Sequence, residues 1–348
     1  MRSHQNSDQT PTGEAREPSS VPSTTSGSQI DPRSLLLGIT VYIMWGFFPL
    51  YFHSLGPAGS LEVIVHRAIW GLISCILVIA LFRRWGTLRA TLADREALWR
   101  LSLAGLLIVV NWTTYVYAVQ SGHTVDAALG YFINPLVTVA LARFVLKERL
   151  SPLQKISVGL GVLAVVVLIV GLGRLPWVSL VLAFSFGFYS LVKKRVANRV
   201  PPLEGMAIET AAVTPILGGY YVYLVVTGTT SFHVLAADSG SESNAWVWHL
   251  LLLIGAGILT MIPLLLFARA SRGLPLGVMG LIQYIGPCLQ LIIGIAVFHE
   301  HMEPARWIGT AIIWLALIVM SADWAGQIVS GRRRKLAERD EIRERPEG

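Results

Sequence analysis

The stretch GYFINPLVTVALARFVLKERL, residues 130–150, is almost entirely apolar, yet Asn134 and Pro135 interrupt it. Proline removes a backbone hydrogen bond from a helix, and a buried asparagine is costly unless it is hydrogen-bonded. The stretch YIGPCLQLIIGIAVFHEHMEP, residues 284–304, has the same layout. In both, an aromatic residue and a proline precede an apolar run that ends with a glutamate and a second proline.

These two stretches indicate an internal repeat. An offset of 152 positions aligns Phe132 with Tyr284, Pro135 with Pro287, Glu148 with Glu300 and Pro152 with Pro304. A fainter match at an offset of 142 sets LEVIVHR (61–67) against LEGMAIE (203–209). Repeated helical units that proline interrupts at corresponding positions are typical of secondary transporters, whose binding sites lie near the bilayer midplane.

The composition is that of a membrane protein. Of 348 residues, 53% are hydrophobic and 14% are charged, whereas soluble domains average about 25% charged residues. The mean hydropathy is +0.59. Cys75 and Cys288 lie within apolar runs, so we expect two structural thiols and infer neither a disulfide nor a metal site from them.

Ten segments are long and apolar enough to cross a bilayer as helices of about 20 residues. They are 35–55, 60–82, 98–120, 124–146, 152–171, 176–193, 203–227, 247–269, 275–297 and 304–325. Because five spans per copy is an odd number, we predict an all-α polytopic membrane protein of two inverted five-helix repeats, 35–171 and 172–325. Residues 1–34 are predicted to be a disordered tail without a signal peptide, and 326–348 to be a charged tail.

The basic residues predict the direction of insertion. If the N-terminus is cytosolic, 24 of the 28 Lys and Arg residues lie in cytosolic segments, and only Arg174 and Arg306 lie outside. Arg67 and Arg143 fall within spans. Since positively charged loops stay in the cytosol, we predict that both termini are cytosolic. The net charge of +7 therefore reflects membrane orientation, and we expect no nucleic acid partner.

Ionisable residues inside membrane spans are functional candidates. His66 and Arg67 lie in the second span, where Arg67 either faces a cavity or extends towards the outer headgroups. Glu209 has the repeat-equivalent position in the seventh span, which suggests electrostatic pairing with Arg67 across the two halves. Their different depths do not ensure a direct contact. A purely structural role for Glu209 and a role in proton coupling are the alternatives.

Further cavity candidates are polar and aromatic residues near the middle of their spans. They are Asn111, Trp112 and Tyr115 in the third span, Asn134 in the fourth, and Gln283 and Tyr284 in the ninth. Pro135 lies about 11 residues, or roughly 16 Å, into its span, close to the middle of a ~30 Å apolar core. We predict helix kinks at Pro135 and Pro287 that face a central cavity. For all these residues, interhelical packing is the alternative.

Several catalytic and energy-coupling motifs are absent. The sequence has no Gly-Lys dipeptide and hence no P-loop, no H-E-x-x-H and no G-x-S-x-G. His299, Glu300 and His301 form a weak metal candidate at the predicted outer surface. We therefore expect neither enzyme activity nor a metal or cofactor, and leave a coupling proton or ion open.

Five quoted stretches resemble a known family. They are WGFFPLYF (45–52), EVIVHRAIW (62–70), NWTTYVYAV (111–119), GYFINPLVTVALARFVLKERL (130–150) and RLPWVSLVLAFSFGFYSLVKKR (174–195). Together they resemble the RarD-type proteins of the drug/metabolite transporter superfamily, which carry EamA domains, over about 35–325. The resemblance implies ten helices in two inverted halves, a bacterial plasma membrane location and export of drug-like molecules or metabolites. By motif it extends to His66, Arg67, Asn134 and Pro135. Members are often labelled chloramphenicol-related, but we transfer no substrate.

The sequence thus predicts a permease that works by alternating access. We place a central cavity between spans one to four and six to nine, with spans five and ten outside it. Arg67 would attract an anionic or carbonyl group, and Asn111, Asn134 and Gln283 would orient the substrate. A scaffold or receptor without solute flux and a membrane-embedded enzyme are the rivals. The expected partners are a small-molecule substrate, the lipid bilayer and, as an open alternative, a second copy of the chain.

Overall fold

A computed structural model describes residues 31–145, 147, 149–196, 199–238, 244–274 and 276–344. These residues form fourteen α-helices and no β-strand. The helices are α1 Pro32–Gly46, α2 Phe48–His53, α3 Ser60–Leu81, α4 Trp85–Ala93, α5 Arg95–Gln120, α6 Thr124–Val145, α7 Pro152–Leu172, α8 Trp177–Lys194, α9 Pro202–Val226, α10 Ser231–Asp238, α11 Ala245–Gly273, α12 Leu276–Ile282, α13 Ile285–Ala296 and α14 Pro304–Glu344. Most of the predicted N-terminal tail and Glu148 of the repeat motif lie outside the described residues.

Both ends of the helical region differ from the predicted boundaries. α1 begins within the predicted tail because Asp31 caps it, accepting the backbone N–H groups of Arg33 and Ser34 at 3.2 and 3.1 Å. α14 continues past residue 325 to Glu344. The segment 326–344 contains no proline and is rich in helix-forming residues, so nothing in it ends the helix.

Nine helical segments of the described chain are long and apolar enough to cross a membrane. α1 and α2 together make one of them, and α12 and α13 contribute to another. The predicted sixth span corresponds to α8, which is not among the nine because its 18 residues end in Lys193 and Lys194. The chain is therefore an all-helical polytopic membrane protein, while the number ten stays a prediction.

Eight helices pack side by side in a closed ring. The order around it is α1, α11, α3, α9, α5, α8, α6, α13 and back to α1. α7 and α14 pack against each other outside the ring and both contact α6, while α14 also contacts α12, as predicted for the fifth and tenth spans. Ring helices come alternately from the first and second predicted halves. Any space inside the ring is consequently lined by both halves.

The contacts of the ring repeat when the two predicted halves are exchanged. α1 packs on α11 as α8 packs on α5, and α3 packs on α11 as α9 packs on α5. The pairs α3–α9, α6–α13 and α7–α14 are exchanged onto themselves. This pattern is what two equivalent halves require, because each span then occupies the environment of its counterpart, while the inversion of one half stays a prediction.

The prolines divide two of the spans. Pro287 has no N–H for the carbonyl of Gln283, and α12 and α13 are separated at Gln283 and Tyr284. Pro49 likewise leaves the carbonyl of Trp45 free, and the side chain of Gln290 donates to it at 3.1 Å. α6, in contrast, continues as one helix through Pro135. The repeat-equivalent prolines thus divide the helix in the second copy only.

Glycines allow the halves to approach closely. A Cβ on Gly257 of α11 would lie 2.5 Å from the backbone nitrogen of Gly71 of α3. A Cβ on Gly105 of α5 would lie 2.4 Å from the carbonyl oxygen of Glu209 of α9. Both contacts join a helix of the first half to one of the second, as expected for small residues between membrane helices.

Candidate functional site

Arg67 is buried at the contact between the halves. Its side chain on α3 is 5% exposed, and its Nε donates to the Oγ1 atom of Thr260 on α11 at 2.7 Å. The hydroxyl of Thr260 in turn donates to the carbonyl of Ala256 at 2.8 Å. The second half therefore holds one edge of the guanidinium group through a hydroxyl that has no charge.

Aromatic rings of the first half surround the same guanidinium group. Its central carbon lies 3.9 Å from the centroid of the Trp112 ring and 5.3 Å from that of Phe52. Tyr115 packs on Phe52 with the ring centroids 5.9 Å apart, and on Tyr131 at 5.6 Å. We call Arg67, Phe52, Trp112, Tyr115 and Tyr131 the Arg67 box. Trp112 stabilises the cation by a cation–π contact.

The Arg67 box contains hydrogen-bond donors that have no acceptor. Among the described residues, neither Nη1 nor Nη2 of Arg67 has a hydrogen-bond partner, and no carboxylate forms an ion pair with Arg67. The buried hydroxyl of Tyr115 also lacks a hydrogen-bond partner. A buried charge without a counter-charge is costly, because the protein interior solvates it less well than water. The box can therefore accept an anion or a strong hydrogen-bond acceptor.

Glu209 does not pair with Arg67, contrary to the pairing suggested by the repeat. Its carboxylate forms an ion pair with the ammonium group of Lys193 at the end of α8. It also accepts a hydrogen bond of 3.3 Å from the hydroxyl of Tyr189. Lys193 reaches this carboxylate from the end of α8, whereas the guanidinium group of Arg67 donates to Thr260 on α11.

Asn111 supports the box without lying free within it. Its amide nitrogen donates to the carbonyl of Leu182 and to the hydroxyl of Ser185, both at 3.0 Å. Its amide oxygen accepts from the hydroxyl of Tyr131 at 3.3 Å. Both ends of the amide are engaged, so Asn111 holds Tyr131 in place and joins α5 to α8.

Three further sequence candidates have no contact that brings them to the box. The hydroxyl of Thr138 donates to the carbonyl oxygen of Asn134 at 2.9 Å and to its side-chain oxygen at 3.4 Å. The amide nitrogen of Gln283 donates to the carbonyl of Gly280 at 3.0 Å. Tyr284 packs against apolar side chains of α6 and α14. These contacts fit interhelical packing, and a role in a cavity stays a prediction for all three residues.

His66 belongs to a different group from Arg67. Its ring packs edge-on against Tyr221 with the centroids 5.1 Å apart, and at 6.2 Å from Phe232. Its Nε2 atom is buried without a hydrogen-bond partner. Consecutive residues on a helix point about 100° apart, so His66 faces α9 and α10 while Arg67 faces Trp112 and Thr260.

A polar cluster lies at the end of the bundle where α3 begins, which we call the Ser60 end. The carboxylate of Glu62 accepts the backbone N–H of Ser231 at 3.0 Å and its hydroxyl at 2.9 Å. The Nε2 atom of His249 lies 2.8 Å from the same hydroxyl. We call Glu62, Ser231 and His249 the Ser60-end latch. It holds α10 of the second half against α3 of the first, and a carboxylate at a helix N-terminus is favourable.

A corresponding ion pair lies at the opposite end of the bundle, where α3 ends, which we call the Leu81 end. Glu204 at the start of α9 is buried and lies 2.9 Å from the Nε of Arg84, which precedes α4. Glu62 and Glu204 are 142 positions apart, the offset of the fainter repeat. We call Glu204 and Arg84 the Leu81-end latch. Each latch joins a glutamate at the start of a span to the short loop helix of the other half.

The His299-Glu300-His301 run is part of a helix cap. The two carboxylate oxygens of Glu300 accept the backbone N–H groups of Thr124 and Val125 at 2.6 and 2.8 Å, at the start of α6. In the same first turn of α6, the carboxylate of Asp126 pairs with Arg306 at 3.2 Å. Within the described residues, no group of three His, Cys, Asp or Glu side chains is placed to hold a metal ion.

Several of these residues were not among the candidates predicted from the sequence. Phe52, Tyr131 and Thr260 line or hold the Arg67 box, and Glu62, Ser231 and His249 form the Ser60-end latch. Two of them had a signal in the sequence. Tyr131 directly precedes the Phe-Ile-Asn-Pro segment, and Glu62 is repeated as Glu204.

Known proteins are similar in sequence to this chain over most of its length. A model of the EamA-like transporter family matches residues 32–170 and, a second time, residues 176–322. The chain belongs to the EamA-like transporter family. It is 42% identical over 289 residues to the protein RarD of Streptomyces exfoliatus, covering 83% of this chain and 88% of that one. An uncharacterized transporter of Pseudomonas aeruginosa is 40% identical, covering 84% of this chain and 94% of that one. The protein RarD of Escherichia coli is 34% identical with the same coverage.

These matches confirm the resemblance that the sequence motifs indicated. The chain is a RarD-type EamA transporter, and its apolar helices make it a multi-pass membrane protein. Its relatives are named as transporters, which favours transport over enzyme catalysis.

Proposed function

We propose that this protein is a secondary transporter that exports drug-like compounds or small metabolites, with the Arg67 box as its substrate site. The observation that carries the proposal is the buried guanidinium of Arg67, which contacts both halves and has no charge partner among the described residues. Ionisable residues inside a membrane protein mark substrate pathways. A structural arginine in the same position would be expected to have a carboxylate partner.

The two latches support alternating access. The Ser60-end latch and the Leu81-end latch hold equivalent loop helices at opposite ends of the bundle, and the Arg67 box lies between them. We propose that the two latches open in turn, so that the box communicates with one side of the membrane at a time. The movement is a rocking of one half against the other, as inverted repeats allow.

The distribution of charge supports an orientation in the membrane, and the relatives support a location. We propose that the Ser60 end faces outwards and the Leu81 end faces the cytosol, since the basic residues lie towards the latter. The relatives named above are bacterial proteins, so we place the protein in a bacterial plasma membrane. Glu209 and Lys193 lie near the cytosolic end and are the candidates for coupling transport to a proton gradient.

The test compares small molecules inside and outside cells that produce the wild-type protein, Arg67→Gln, Arg143→Gln or no transporter. Arg143 is an exposed arginine at the end of α6 and serves as the matched control. We expect a compound that accumulates in the medium with wild type and Arg143→Gln, but falls to the level of the empty cells with Arg67→Gln. Production of each protein is matched by immunoblot.

Identical profiles in all four cultures contradict export and favour a scaffold or receptor without flux. Accumulation inside the cells with wild type contradicts the direction but retains transport. Full export by Arg67→Gln contradicts the assignment of the Arg67 box as the substrate site.

A further inference from the structure

We infer that the Arg67 box takes an organic monoanion, namely a single carboxylate attached to a flat apolar body. This inference rests on the proposed function, since it names the substrate class of the same site. It goes further because hydrogen bonding alone would let the box bind either an anion or a neutral carbonyl compound. Charge, donor geometry and the number of cations decide between them.

The charge of the box favours an anion over a neutral ligand. The guanidinium of Arg67 is 5% exposed, and Thr260, which accepts from its Nε, is uncharged. A neutral carbonyl group accepts hydrogen bonds but leaves the positive charge uncompensated in an apolar surrounding. A carboxylate removes that penalty, and charge-assisted hydrogen bonds are about twice as strong as neutral ones.

The free atoms of the box match a carboxylate. Trp112 covers a face of the guanidinium group at 3.9 Å, so the N–H groups of Nη1 and Nη2 remain available in its plane. Two parallel N–H groups bind the two oxygens of a carboxylate in a fork. The unpaired hydroxyl of Tyr115 is a third donor close to the same cation. Thr260 adds none, because its proton is already donated to Ala256.

The surroundings of the cation limit the ligand to one charge and favour a flat body. Within the part of the chain that the structure describes, Arg67 is the only cation in contact with the rings of the box. Two other buried or half-buried cations are paired elsewhere, Lys193 with Glu209 and Arg306 with Asp126. A second carboxylate would have no partner there. The remaining walls are the rings of Phe52, Tyr115 and Tyr131, which suit an aromatic or otherwise planar apolar group.

The test uses three shape-matched probes on the purified full-length protein in detergent. They are 3-phenylpropanoate, its neutral amide 3-phenylpropanamide and the cation 3-phenylpropylamine. Binding is measured as the shift of the melting temperature with probe concentration, on wild type, Arg67→Gln, Arg67→Lys and the control Arg143→Gln. Size-exclusion profiles establish that each variant is folded.

We expect the carboxylate to bind wild type and Arg143→Gln with an affinity at least tenfold above that of the amide or the amine. Arg67→Gln should lose this binding at least tenfold, and Arg67→Lys should retain part of it, because it keeps the charge but not the fork. Equal binding of the amide or the amine, unchanged carboxylate binding by Arg67→Gln, or no binding of the carboxylate each overturns the inference.

Flux measurements in proteoliposomes separate this inference from the proposed function. Carboxylate binding without any flux contradicts transport and leaves the inference standing. Flux of an uncharged compound that Arg67→Gln does not reduce contradicts the inference and leaves transport standing.

Discussion

The guanidinium carbon of Arg67 on α3 lies 3.9 Å from the centroid of the Trp112 ring on α5, while its Nε bonds Thr260 on α11. One side chain is thus held by both halves of the bundle. A movement of α11 relative to α3 and α5 must therefore change the surroundings of the cation. This relationship connects the candidate binding site directly to the interface on which alternating access depends.

The contact between Arg67 and Trp112 predicts that the ring contributes to ligand affinity. Trp112→Leu removes the face that holds the guanidinium group, and we expect a loss of about 0.5–2 kcal/mol, or roughly 2- to 30-fold in the affinity for the carboxylate probe. Trp112→Phe should lose less. Melting-temperature titrations measure both, with the exposed Trp307→Leu as the control. Unchanged affinity in Trp112→Leu would remove Trp112 from the site.

Glu209 is predicted to stabilise the fold through Lys193. Glu209→Gln leaves the Lys193 ammonium without its charge partner, and we expect a loss of about 1–3 kcal/mol in the free energy of unfolding. The double variant Glu209→Gln/Lys193→Met should lose less than the sum of the two single variants, because one unpaired charge is removed with the other. Denaturation in detergent measures the cycle. Strict additivity would show that the pair is not coupled.

The latches predict local effects at opposite ends of the protein. Glu62→Gln weakens the interaction with the N-terminus of α10, so deuterium uptake should rise in Ser231–Asp238 and not in α4. Glu204→Gln should raise uptake in Trp85–Ala93 and not in α10. Glu300 caps α6 instead, so Glu300→Gln is the control and should affect neither loop helix. Uptake that is the same in all three variants would contradict two separate latches.

The close approach of α3 and α11 predicts that Gly257 does not tolerate a side chain. A Cβ there would lie 2.5 Å from a backbone atom of Gly71 and 2.6 Å from the side chain of Trp70, so Gly257→Ala should cost about 1–3 kcal/mol of stability. A Cβ on Gly159 of α7 would meet no atom within 4 Å, so Gly159→Ala is the matched control. The melting temperatures of the two alanine variants measure the difference, and equal values would show that α11 shifts without cost.

Much of the architecture could be predicted from the sequence, because hydropathy over about 20 residues and the placement of Lys and Arg are local properties of the chain. The membrane class, the family and the choice of Arg67 as a candidate site residue follow from such local patterns. α14 extends beyond its predicted end, and the 18 residues of α8 include two lysines that lower its hydropathy. Helix boundaries are therefore harder to predict from the sequence than the helices themselves. They depend on how a few charged residues at a helix end are accommodated.

The sequence by itself determined that the chain is an all-helical membrane transporter and that a charged side chain lies within its second span. Only the tertiary structure decided which groups meet. Arg67 contacts Thr260, which is 193 positions away, and Glu62 contacts Ser231, which is 169 positions away. The repeat suggested Glu209 as the partner of Arg67, but Lys193 is nearer. Such pairings depend on distances between helices that are remote in sequence, and no local pattern of residues specifies those distances.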